Sequence, residues 1–171
     1  SGGSGGVLGY SNSVGGFDLS IEYAPALTSA DNGDGVAGGD DTSLANGSNI
    51  NFAINNSSLV DGLAFGFGMG ESTYDDTSIV GREDGSSVVG YANYTMGSIT
   101  AGVTLSESAN TRSGTAVATN TGGRQVEAFG VSMALNDNLS ISYNQHNMTY
   151  TKAGAGPDVE QESTGIAIAY T

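Results

Sequence analysis

Between Asp61 and Gly70 the chain reads Asp-Gly-Leu-Ala-Phe-Gly-Phe-Gly-Met-Gly, and this stretch limits the available folds more than any other. Leu63, Phe65, Phe67 and Met69 share one parity, while Ala64, Gly66, Gly68 and Gly70 share the other. A β-strand sends successive side chains to opposite faces, so the spacing predicts a strand with one apolar face and one almost bare. A soluble sheet sets its apolar face against a solvated, polar one. Here the second face carries almost nothing to solvate. The pattern suits a wall with lipid on one side and a wide cavity on the other.

The alternation recurs along the chain. Leu8 and Tyr10 share a parity in a short first strand, followed by a turn-rich segment at 11–16. Phe17, Leu19, Ile21 and Tyr23 oppose Asp18, Ser20 and Glu22. Ile50, Phe52 and Ile54 oppose Asn51, Ala53 and Asn55. The least regular strand spans Ser87 to Met96, with Tyr94 and Met96 on the apolar side. Ile99, Ala101, Val103 and Leu105 alternate with Thr100, Gly102, Thr104 and Ser106. Phe129, Val131, Met133 and Leu135 do so with Ala128, Gly130, Ser132 and Ala134. Leu139, Ile141 and Tyr143 oppose Ser140, Ser142, Asn144 and His146, and Ile166, Ile168 and Tyr170 oppose Gly165, Ala167 and Ala169. About nine strands result, and no segment has a helical period.

The connections alternate in length. Short turns fall near 12, 57, 97 and 137; long polar loops fall near 25–47, 72–85, 108–124 and 151–160. This predicts an all-β, antiparallel up-and-down meander over residues 1–171, with short turns at one end and long loops at the other. Transmembrane β-barrels have that asymmetry, with short periplasmic turns and long external loops.

Composition narrows the function classes. Acids outnumber bases 18 to 4, a formal charge of −14, which repels nucleic acid and attracts cations. With no cysteine there is no disulfide framework and no thiolate metal site. No run approaches the ~20 apolar residues of a transmembrane helix, a test to which β-barrel spans are blind.

With the short turns taken as periplasmic, Tyr10, Phe17, Tyr94 and Tyr170 fall at the periplasmic end on the apolar parity, and Tyr23 at the external end. Such rings suit an interfacial girdle. Glu71, Glu107, Glu127 and Glu162 share the apolar parity at the external strand ends, where carboxylates are tolerated. They read as strand ends standing in water, or as partners of lipopolysaccharide phosphates through shared divalent cations.

On Gly15-Gly-Phe-Asp-Leu-Ser-Ile-Glu-Tyr-Ala24, Tyr94-Thr-Met-Gly-Ser-Ile-Thr-Ala-Gly-Val103 and Ser163-Thr-Gly-Ile-Ala-Ile-Ala-Tyr-Thr171 the chain resembles the general bacterial porins, in particular the Gly-rich, acidic porins of alphaproteobacteria. The resemblance implies a homotrimer of 16-stranded, water-filled barrels in the bacterial outer membrane, open to small hydrophilic solutes. It covers most of the chain by pattern, and the visible strands correspond to a C-terminal portion. Porins usually end in Phe, whereas this sequence stops at Thr171.

The expected function is a passive, cation-preferring diffusion channel without catalytic residues. Asp18, Ser20, Glu22, Asn51, Asn55, Asn144 and His146 are the candidate pore-lining residues; Leu63, Phe65, Phe67, Met69, Phe129, Val131, Met133, Ile166 and Ile168 are expected toward lipid. The bases Arg82, Arg112, Arg124 and Lys152 lie in or beside the long loops, so the lumen is expected to be acidic. No organic cofactor is called for, and the one histidine has no visible catalytic partner. Asp31, Asp34, Asp40 and Asp41 in a Gly-rich loop supply oxygens of the kind that wrap Ca²⁺, without EF-hand spacing. Two alternatives follow: a secreted Gly/Asp-rich Ca²⁺-binding β-protein or adhesin, and a small outer-membrane anchor without a pore.

Overall fold

In a computed structural model, residues 7–25, 48–73, 84–109, 121–152 and 157–170 are described. They form nine strands: β1 (Leu8–Val14), β2 (Phe17–Ala24), β3 (Asn49–Asn56), β4 (Leu63–Ser72), β5 (Gly85–Met96), β6 (Ile99–Ala109), β7 (Thr121–Asn136), β8 (Leu139–Lys152) and β9 (Val159–Tyr170). The nine make one sheet in sequence order, every neighbouring pair antiparallel. There is no helix among the described residues. The up-and-down meander is therefore present as expected.

Strand limits differ from the alternation reading. β1 runs on to Val14, so the first turn lies at Gly15–Gly16 and not near 12. Both glycines have positive φ (60° and 83°), which a two-residue hairpin turn requires to match strand twist. β7 begins at Thr121, β8 reaches Lys152 and β9 begins at Val159, all inside segments expected to be loop. In these extensions the face that carries the apolar band turns polar (Gln125, Glu127, Asn147, Thr149), while Val126, Met148, Tyr150 and Val159 lie on the other face. The hydrophobic parity of the strand centres therefore does not continue into them. They pair nonetheless, as Gln125 does with Thr149 and Thr149 with Glu160.

The register assigns the faces, because directly paired residues point the same way. One unbroken row runs Phe17–Asn56–Phe65–Ala92–Val103–Phe129–Gln145–Thr164. The residues expected toward lipid all lie on this face, here called the apolar face. So does Tyr94, paired with Leu63.

The apolar band crosses these rows obliquely. Its last residue toward the long loops is Tyr23 in β2, level with Ile50 in β3. One pair lower come Met69 and Val88, then Leu105, then Phe129, then Tyr143 level with Ile166. The band thus drops about eight residues over seven strand intervals, which at ~3.4 Å per residue and ~4.8 Å between strands tilts the strands by about 40°. Polar residues follow immediately beyond it: Glu71, Glu107, Glu127, Gln145 and Thr164. The turns step down in the same sense.

Among the described residues no apolar side chain is buried. Phe67 is 43% exposed, Leu105 57% and Ile168 69%. Among the described residues the sheet is a single layer, with no second layer against its apolar face. Every strand contacts only its sequence neighbours, so β1 and β9 each leave one edge unpaired among these residues.

Candidate functional site: the polar face of the sheet

Opposite the apolar band, Asp18, Ser20 and Glu22 of β2, Asn51 and Asn55 of β3, and Asn144 and His146 of β8 share the second face. Asp18 pairs directly with Asn55 and Glu22 with Asn51, so these four form one compact patch. Asn144 and His146 stand five strands from Asn55, about 24 Å along the sheet. The candidate lining set is one face, with its members at opposite sides of it.

That face is not bare, which corrects the expectation drawn from Gly66, Gly68 and Gly70. The Tyr91 hydroxyl donates to Asn55 Oδ1 at 3.2 Å, and its ring crosses Gly66 on the way. A Cβ at Gly66 would stand 2.5 Å from Tyr91 Cε1 and 3.0 Å from Cζ. At Gly70 a Cβ would stand 2.5 Å from Asn51 Oδ1, and at Gly165 2.8 Å from Asn144 Oδ1. The glycines lie under longer side chains from adjacent strands. Missing side chains leave room for neighbours to lie down, not only for solvent.

Other polar groups on this face are partly tied. Ser13 Oγ donates to Asp18 Oδ1; Thr95 and Thr100 hydroxyls meet at 3.0 Å; Ser163 Oγ and His146 Nδ1 are 3.4 Å apart. A trough of about 370 Å³ lies over Gly102 and Gly130, walled by Asn93, Thr100, Thr104, Ser132, Ser142 and Asn144. Arg124, read as loop-adjacent, lies in β7 on this face, paired with Ser108 and Tyr150. Tyr91, Val89, Val126, Met148 and Tyr150 also share it and were missed as lining residues. Counting back from Tyr94 and Met96 by twos reaches Ala92, Gly90 and Val88, which leaves Tyr91 and Val89 on the opposite face.

The girdle aromatics all lie on the apolar face, with one correction in height. Phe17 and Tyr170 end their strands beside short turns, Tyr94 is one pair above Met96, and Tyr23 is at the long-loop end. Tyr10 is level with Ile21, two pairs above the turn, because β1 extends to Val14. The four rim glutamates lie on the apolar face beyond the band, and Glu162 accepts from Gln145 Nε2 at 2.8 Å.

Asp31, Asp34, Asp40 and Asp41 lie outside the described residues, as do Arg82 and Arg112. Among the described residues no three His, Asp or Glu side chains are grouped as a metal site would need. No protein-family profile matches the chain, and no curated protein matches it.

Proposed function

We propose that this chain forms the wall of an outer-membrane β-barrel channel of the general porin type, through which small hydrophilic solutes and ions diffuse passively, cations preferentially. The observation that carries this reading is a nine-stranded single layer whose apolar side chains are all unburied among the described residues. In water such a face is an aggregation surface; in lipid it needs no second layer. The oblique band adds support, since the ~40° that makes it level falls within the 35–45° tilt of membrane barrels.

An open sheet edge is not tolerated in hydrocarbon, so the reading requires further strands between β1 and β9. Those two strands run in the same direction. Antiparallel closure therefore takes an odd number of additional strands, a condition a 16-stranded barrel meets. The wall has no catalytic role: its work is bore and field. Asp18 and Glu22 face the lumen and favour cations. The rim glutamates face outer-leaflet lipopolysaccharide, and a homotrimer is the assembly the resemblance implies.

Planar-bilayer recording of the purified protein tests this. Open-channel current with cation preference is expected; absence of current, or anion preference, contradicts it.

A further inference from the structure

Among the described residues of the polar face, Tyr91 is the tyrosine whose position is fixed at both ends. Its backbone pairs with Gly66 and Thr104, and its hydroxyl is held by Asn55 two strands away. To span that gap the ring must lie along the sheet instead of standing on it. Gly66 makes this possible, since any Cβ there would collide with ring carbons. The Gly66 backbone thus lies against one side of the ring, and Tyr91 is only half-buried, which leaves part of the ring open above the face. Asp18 and Asn55 lie in the same register row on one side, and Thr104 on the other. Asn55 spends Oδ1 on the tyrosine, leaving its Nδ2 hydrogens for a ligand.

We propose that Tyr91 is a stacking platform for an uncharged ring sugar, the solute class this part of the lumen retains during passage. A pyranose has one face of C–H groups and an equator of hydroxyls. The C–H face matches an immobilised aromatic surface, and the equator matches flanking amide, carboxylate and hydroxyl groups. Aromatic anions such as nucleotides are disfavoured by Asp18 in the same row and by the net charge of −14. Because the ring is already pinned, binding forfeits little side-chain entropy. The inference rests on the channel reading and adds a solute class to it.

The test is ion current through the full chain in planar bilayers, titrated with methyl glucoside and, as a viscosity control, with glycerol. Wild type is expected to lose current with methyl glucoside beyond the glycerol control. Tyr91→Leu should need about fivefold more sugar for the same effect, within the worth of one aromatic contact. Tyr91→Phe keeps the ring and should retain most of the response. Should Tyr91→Leu not insert, Asn55→Ala, which frees the ring and removes the amide, serves in its place and should weaken the response. Equal sugar responses in wild type and these variants, or none in wild type despite normal current, overturn the platform alone. Absence of current in wild type removes the channel reading and the platform with it.

Discussion

Asn56 donates from Nδ2 to the Gly16 carbonyl at 2.6 Å, joining the β3–β4 turn to the β1–β2 turn. Its Oδ1 accepts from the backbone amides of Ser58 and Leu59 at 3.0 and 2.8 Å. Asn56 is 2% exposed, the one buried polar residue among those described, and lies in the row between Phe17 and Phe65. Those two rings meet edge to face with centroids 6.2 Å apart. Asn56→Ala leaves three backbone groups without this partner, beside apolar rings. It should destabilise the folded protein by about 1–3 kcal/mol, read as a lower urea midpoint in detergent.

Gly66 and Gly9 make a matched pair. A Cβ at Gly66 enters the space of Tyr91 and Asn55, whereas at Gly9 nothing lies within 4 Å. Gly66→Ala should cost about 1–3 kcal/mol by overpacking, and Gly9→Ala should stay within ~0.5 kcal/mol. Equal midpoints for the two would contradict the packing of Tyr91 across the glycine.

Band height predicts how charge is tolerated. Phe67→Lys places an ammonium within the apolar band and should cost about 2–4 kcal/mol in a bilayer, whereas Gln145→Lys, just beyond the band, should cost only ~0–1 kcal/mol. Urea titration in vesicles compares them. A large loss at both positions would remove the oblique band as a membrane boundary.

Ion selectivity should respond to the polar face in opposite directions. Asp18→Asn and Glu22→Gln lower cation preference; Arg124→Gln raises it. Reversal potentials across a salt gradient measure this. The differences should shrink toward 1 M salt, where the screening length falls to ~3 Å.

How much of this was legible in the sequence depends on side-chain contrast. Where apolar residues alternate with small or polar ones, as from Leu63 to Met69 or Ile99 to Leu105, parity, face and strand are all readable. Above the band in β7–β9 the parity inverts: Gln125, Glu127, Asn147 and Thr149 hold the face that is apolar lower down, with Val126, Met148 and Tyr150 on the other. The strands thus extend unseen by a reading that follows one apolar face. Glycine carries no sign of what covers it. Gly66 read as open space because Tyr91 sits 25 residues away on the least regular strand, and only register brings ring and glycine together. Tyr10 was misplaced for a related reason: Ser11 to Val14 looks like a turn by composition, yet pairs with Phe17 to Ser20.

The most direct test asks what each face of the sheet touches. The chain has no cysteine, so single cysteines at Phe67, Leu105 and Val131, and at Ser87, Ser106 and Ser132, can each carry one spin label. In bilayers, lipid-soluble oxygen should relax labels at the first three sites, and a water-soluble nickel chelate those at the second three. Chelate access at all six sites would contradict a wall with lipid on one side and water on the other.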